Sequence, residues 1–334
     1  MKAVSAIGLA LLAAVFYASS TPFSKVLLSH IEPTMLASFL YFGAGIGIAI
    51  VYLFVPHRFK QNENKLSKKD LPYVLGMILL DITAPILLMF GLSKAPAAHV
   101  SLLNNSEIVA TSIIALIVFK ETISRKLWIA ITLITLSSAL LSFQNLSCLQ
   151  FSFGSIFVIL ACICWGFENN CTRKISDKNT YKIVILKGIF SGLGSFIVAL
   201  IIGETIPSNT WFLLALILGF VAYGLSIFVY IRAQKELGAV KTSAYYAVAP
   251  FIGAILSLAV LREPLTVTFV VALLIMFVGT TLVVLDTLLT HHSHLHTHTI
   301  KHTHDGTTHT HTFTHDHIGN GMEHHHSHNG TELC

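Results

Sequence analysis

Ten runs of mostly apolar residues, each long enough to cross a bilayer and separated by short polar corners, fill residues 1–290. A spanning helix needs about 20 such residues. Hydrocarbon offers no partner to an unpaired backbone group, so spanning runs must be helices or closed barrel strands. Barrel strands would alternate apolar and polar residues. These runs do not, so helices are expected at roughly 3–28, 34–55, 71–92, 97–119, 125–143, 152–173, 181–203, 209–231, 239–261 and 265–288. Only 11% of the 334 residues are charged, against about a quarter in a soluble domain. Lipid is therefore the expected solvent, and no room is left for a folded soluble domain. Met1–Ser29 looks like a leader but reads as the first span, because similar runs follow it throughout.

Part of this pattern occurs twice. Gly91–Leu141 and Ala233–Val283 align without gaps and match at Ala97/Ala239, Ser101/Ser243, Ile113/Ile255, Leu116/Leu258, Val118/Val260, Glu121/Glu263, Ala130/Ala272 and Leu140/Leu282. Each copy is two apolar runs joined by a charged corner, Lys120-Glu121-Thr122 in one and Arg262-Glu263-Pro264 in the other. Membrane-length internal repeats are a mark of transporters. Three parts are expected: a five-helix unit over 1–145, a second over 150–290, and a tail over 291–334.

The cations sort the corners. With the N-terminus inside, the inside corners hold Arg58, Lys60, Lys65, Lys68, Lys69, Lys120, Arg125, Lys126, Arg173, Lys174, Lys178, Lys182, Arg232 and Lys235. The outside corners hold only Lys25, Lys94 and Arg262. This bias puts both termini in the cytoplasm of an inner- or plasma-membrane protein. Five spans per unit then insert the second unit upside down relative to the first. The expected fold class is an all-α integral membrane protein, with ten transmembrane helices as two inverted five-helix repeats, plus a disordered tail.

Tyr17-Ala18 and Trp165-Gly166 place an aromatic-plus-small pair in the first span of each unit. With the ten-span length, the doubled unit, the small-residue starts of the fourth and ninth spans and the two corners, they make residues 1–290 resemble the EamA-type transporters of the drug/metabolite transporter superfamily. The resemblance implies a transporter and not an enzyme. It leaves the cargo open, since that family carries amino acids, nucleobases, sugars, drugs and other metabolites. The family often has Glu-Pro inside the fourth span. Here Glu107 is followed by Ile108, and the repeat partners are Ala249 and Pro250, so each half keeps one member of the pair.

An ionisable side chain at mid-membrane costs a few kcal/mol or more and needs a reason to be there. Asp81, Asn104, Asn105, Glu107, Glu168 and Asn169 are the expected polar lining of a substrate pathway. A carboxylate there would bind a cationic group or take up a coupling proton. Alternatives are a helix-packing network for Glu107 and an interfacial pair with Arg173 for Glu168. Tyr17, Trp165, Tyr245 and Tyr246 supply rings for stacking on an organic solute or for packing. Lys25 is expected to snorkel to the outer surface. Pro85, Pro250 and Gly253 are candidates for breaking helices near the midplane. Glu121 and Glu263 are expected to fix their corners by pairing with cations and helix ends.

Beyond Asp286 the composition changes. The tail holds His291, His292, His294, His296, His298, His302, His304, His309, His311, His315, His317, His324, His325, His326 and His328, with Thr in many gaps. It has too few apolar residues to bury a core, so disorder is expected. Repeated imidazoles favour Ni, Zn, Co or Cu over Mg or Ca. Transport itself is expected to need no cofactor. The expected partners are a small-molecule substrate, the lipid bilayer and divalent metal ions at the tail, with no nucleic acid; a homodimer is left open. Three readings stand side by side. The favoured one is a permease for a small metabolite or amino-acid-like solute with a metal-binding regulatory tail. The others are a divalent metal transporter and a membrane metal sensor that transports nothing. The spans lack the His, Cys and Met clusters that such ions prefer, and a sensor needs no inverted duplicate.

Overall fold

The computed structural model describes residues 2–54, 67–119, 124–145, 150–175, 178–237, 242, 245–290, 293–304 and 307–318. Among these, nine helices are long and apolar enough to cross a membrane. They are α1 (Ala6–Leu27), α2 (Pro33–Leu53), α3 (Lys68–Lys94), α4 (Ala97–Val118), α5 (Arg125–Ser142), α6 (Phe153–Thr172), α7 (Tyr181–Ile201), α8 (Asn209–Tyr230) and α10 (Val267–Asp286). Between the last two lies a shorter apolar helix, α9 (Ala249–Leu261). Pro250 lacks the N–H that an interior helix position must donate, so it sits in the opening turn of α9. Residues 239–241, 243 and 244 of the expected ninth span lie outside the described residues.

Several helices are interrupted. The helix Lys2–Ala18 gives way at Ser19, whose hydroxyl donates to the Phe16 carbonyl at 2.6 Å, and resumes as Ser20–Leu27. α4 breaks at Asn104-Asn105, between Ala97–Leu103 and Ser106–Phe119. The register of the internal repeat sets Asn105 against Ala247, and Ala247-Val248 is the turn that precedes α9. The two copies therefore break at the same place, with different residues there. α8 carries a wide π-type turn over Phe220–Leu225. Pro85, by contrast, lies inside an unbroken helix, Leu71–Lys94, so the break expected there does not occur. Neighbouring groups in a helix bundle can satisfy the carbonyl that a proline frees.

The heaviest packing runs between halves. α2 packs on α7, α5 on α10, α4 on α9, α3 on α6, and α1 on the end of α8. Exchanging each helix for its repeat partner returns the first three pairs to themselves and swaps the last two. That is what a two-fold relation between the halves requires. Serines stitch several of these seams: Ser38 Oγ donates to the Gly192 carbonyl at 2.9 Å, Ser137 Oγ to Ala272 at 2.7 Å and Ser226 Oγ to Ala13 at 2.9 Å. The core is rich in alanine, leucine and methionine, while large apolar side chains such as Leu79, Ile255, Val267 and Leu274 point outward, as a lipid-facing surface would.

Glycine sets how closely α2 and α7 approach. A Cβ built on Gly188 would stand 2.4 Å from the Gly45 backbone, and one on Gly45 2.7 Å from Ile189 N. Both neighbours are backbone, so neither can turn aside. Gly188→Val is expected to destabilise the bundle by about 1–3 kcal/mol or more, read as a lower melting temperature in detergent. Gly8→Val is the control, because nothing lies within 4 Å of a Cβ there, and it is expected to leave the melting temperature unchanged.

Two short strands, β1 (Phe143–Asn145) and β2 (Gln150–Phe151), pair across the junction between halves. In the tail, β3 (Ser293–His304) pairs antiparallel with β4 (Thr307–Ile318), where the sequence led us to expect no regular structure. The physical reason is the interleaved threonine. β-Branched residues favour extended backbone, and their alternation with histidine has the period of a strand. Residues 291, 292 and 319–334 lie outside the described residues, which takes in His291, His292, His324, His325, His326 and His328.

Candidate functional site

Asp81, mid-way along α3, is fully buried. Its partners come from two other helices. Lys187 Nζ, from α7, stands 3.1 Å from Oδ2, and the Tyr41 hydroxyl, from α2, donates to Oδ1 at 3.0 Å. Lys187 Nζ also stands 3.0 Å from Glu168 Oε1 on α6. Glu168 is 2% exposed and accepts a short hydrogen bond from Thr172 one turn on. One ammonium is thus held between two buried carboxylates contributed by both halves. This replaces the interfacial role considered for Glu168; Arg173's side chain lies outside the described residues.

Beside it lies a second polar group. Asn169 Nδ2 donates to Glu107 Oε1 at 2.7 Å and stands 3.3 Å from Thr111 Oγ1. Glu168 and Asn169 are adjacent on α6, so that helix carries both groups, one toward α7 and one toward α4. Gly166 makes the second approach close, since a Cβ there would lie 2.9 Å from that of Ala110. One turn away is the break in α4. Asn104 and Asn105 are buried there, and the side-chain Oδ1 of the first and Nδ2 of the second have no hydrogen-bond partner among the described residues. Orphaned buried polar atoms in a native fold call for an explanation, and a pathway that admits water or solute supplies one.

Rings adjoin the charges. Tyr41 lies 5.7 Å from Tyr223, Tyr223 lies 6.0 Å from Tyr17, and Tyr17 lies 5.8 Å from Tyr246. The Tyr223 hydroxyl is 3.3 Å from Ser20 Oγ, and that of Tyr246 is 3.3 Å from Ser226 Oγ. Tyr223 sits in the π-type turn of α8, a feature frequent at functional sites. Trp165 is buried in the core, and Tyr245 is half-buried at the approach to α9. Of the residues expected to line a pathway, the structure therefore joins Asp81 to Glu168 through Lys187, Glu107 to Asn169, and Tyr17 to Tyr246. It adds Lys187, Tyr41 and Tyr223, which sequence reasoning missed. For Lys187 a signal existed: a cation seven residues inside an apolar helix has the same cost as a carboxylate there.

One end of the bundle is fastened by carboxylates. Glu204 accepts from the backbone N–H groups of Thr34 (3.1 Å) and Met35 (2.6 Å) at the start of α2. Glu263 accepts from Ala97 (2.6 Å) and Ala98 (2.9 Å) at the start of α4. The chain leaves α9 through Arg262 at φ 53°, and Pro264 bars helix continuation, which delivers Glu263 to its target. Glu32 reaches back to Thr205 N at 2.6 Å. Lys25, expected to snorkel, instead donates to the Leu92 and Ala95 carbonyls at the end of α3, the second at 2.9 Å. Free helix-end carbonyls attract a cation better than the rim does.

The description "EamA-like transporter family" fits this chain over two segments, residues 4–143 and 152–285. The chain belongs to that family. This EamA-like protein is 26% identical over 288 residues to an uncharacterized transporter of Methanothermobacter thermautotrophicus, covering 80% of this chain and 82% of the relative. It is 21% identical over 278 residues to the uncharacterized transporter YyaM of Bacillus subtilis, covering 79% and 88%. A solved structure titled "Crystal structure of protein" shares the fold at a TM-score of 0.62 and 14% identity, over 84% of this chain and 96% of that one. The family match thus falls in two segments of this chain. The buried ion group of this EamA-like chain spans both, with Asp81 in the first and Glu168 and Lys187 in the second.

Proposed function

We propose that this EamA-like protein is a permease for a small metabolite or amino-acid-like solute. In this reading ten spans form two inverted five-helix repeats with both termini in the cytoplasm. α9 counts as the ninth span, and rocking of the halves gives alternating access. The buried Asp81–Lys187–Glu168 group carries the reading, because it lies on the seams between halves, where a repeat transporter places its substrate. Glu107, Asn169, Asn104 and Asn105 extend that polar wall, and the tyrosine rings give an organic solute a surface. The His-rich tail is a metal-binding regulatory appendage that takes Ni, Zn, Co or Cu. Support comes from its composition and from a backbone register that sets His294 opposite His317, His296 opposite His315 and His302 opposite His309.

Proteoliposomes loaded with a mixture of amino acids test the reading. Counterflow of at least one of them is expected, with a loss of tenfold or more in Glu107→Gln and no loss on deleting residues 291–334. Flux of nickel or zinc that survives tail deletion and is lost in Glu107→Gln would overturn it. The tail is tested by titrating Zn or Ni into the full chain and the tail-deleted chain. Heat is expected from the full chain alone, and it is expected to fade below about pH 6, where imidazole protonates.

A further inference from the structure

Lys187 differs from the carboxylates it joins. Asp81 and Glu168 are shut away, with side chains 0% and 3% exposed, while the Lys187 side chain is 19% exposed. It is a point charge on a flexible four-carbon stem, bound by geometry that another ammonium can reproduce. Two carboxyl groups face one ammonium, and a third, Glu107, stands beside them, held by neutral Asn169. The far oxygen of Asp81 is held by Tyr41, the first of the packed tyrosines Tyr41, Tyr223, Tyr17 and Tyr246. Carboxylates beside aromatic faces are the surroundings that recognise organic ammonium ions. A guanidinium would have clamped a carboxylate in a two-pronged contact. A lysine holds the place and, on its flexible stem, can give it up.

We propose that the space between Asp81 and Glu168 is an ammonium subsite, that Lys187 is its tethered occupant when no solute is bound, and that the solute is an organic amine whose ammonium group takes Lys187's place. This rests on the permease reading and narrows its solute to one bearing an ammonium group, with an apolar or aromatic body against the tyrosines. Arrival of the solute frees Lys187 from α3 and α6, so binding loosens a contact between the halves.

The test uses purified full-length protein in detergent, with the melting temperature as readout and no transport required. Lys187→Ala vacates the subsite and leaves both carboxylates. Methylammonium and propylammonium chloride are expected to stabilise Lys187→Ala saturably, with half-maximal effect at a concentration at least tenfold lower than in the unaltered chain. Sodium and potassium chloride at equal ionic strength are expected to give no such effect. Equal stabilisation by sodium and methylammonium, equal half-points in variant and unaltered chain, or no stabilisation of the variant would each overturn the proposal. Should Lys187→Ala fail to fold, Lys187→Arg keeps the charge and holds the carboxylates more rigidly. It is expected to raise the half-point for phenethylammonium at least tenfold over the unaltered chain, and an unchanged half-point overturns the proposal. Amine binding without flux in vesicles would count against the permease reading alone. Flux of neutral solutes without amine binding would count against this proposal alone.

Discussion

Lys187→Met is expected to cost the folded protein about 3–5 kcal/mol, the usual loss when one partner of a buried ion pair is removed. The side chain loses 3.1 Å and 3.0 Å contacts, and two carboxylates are left facing each other without a cation. Methionine fills nearly the same volume, so packing contributes little to the loss. The second substitution is the sharper test. Asp81→Asn in the Lys187→Met background removes one of the stranded charges and still accepts from Tyr41. The double variant is expected to be more stable than Lys187→Met alone, although Asp81→Asn by itself is destabilising. Reversible unfolding of the four proteins closes a double-mutant cycle. Additive effects would mean that the two residues do not interact.

Removing the carboxylates at Glu204 and Glu263 is the second large perturbation. Each accepts from two backbone N–H groups that open a helix and have no partner within it. Loss of a helix cap costs about 0.5–2 kcal/mol, and an N–H left buried and unsatisfied adds about 1–3 kcal/mol. Glu204→Ala and Glu263→Ala are therefore each expected to destabilise by about 2 kcal/mol or more. Each variant should exchange its amide hydrogens at least tenfold faster, at Thr34 and Met35 for the first and at Ala97 and Ala98 for the second. The glutamine variants keep an acceptor oxygen and should lose roughly half as much. Each carboxylate and its target helix lie in different halves, so the loosening is expected at the end of the bundle where they meet.

The architecture was legible because hydrophobic run length is a local property. Apolar runs of the right length, punctuated by corners, announce helices wherever they occur, and the match of Glu121 with Glu263 exposes the duplication. The site was half legible. Asp81, Glu107 and Glu168 stand out because a carboxylate in an apolar run is conspicuous. What each touches was not readable. Asp81 is joined to Lys187 across the latter part of the first repeat and the start of the second, and no spacing rule connects positions so far apart. Glu168 had a plausible cation nearby in sequence, Arg173, and the nearer candidate concealed the actual one. Tyr41 and Tyr223 were lost among the many aromatic residues of the spans. Glu204 stands in a corner without Lys or Arg, where a lone carboxylate suggests nothing until the facing helix end is seen. In the tail, the His/Thr alternation that sets strands was read as low complexity.

The seams between the halves also bear on the order in which the protein can be made. α2 ends at Leu53 and its principal partner, α7, begins at Tyr181. At about 5–20 residues per second, the ribosome needs on the order of ten seconds to supply that partner. During this interval the face at Gly45, which the finished protein packs on Gly188, and the opposite face at Gly43 and Gly47, which it packs on Leu216 and Phe220, have nothing of its own chain to close on. The early helices must wait in lipid or against the insertion machinery with their small-residue faces bare, and a chain cut short after the first repeat would keep them so.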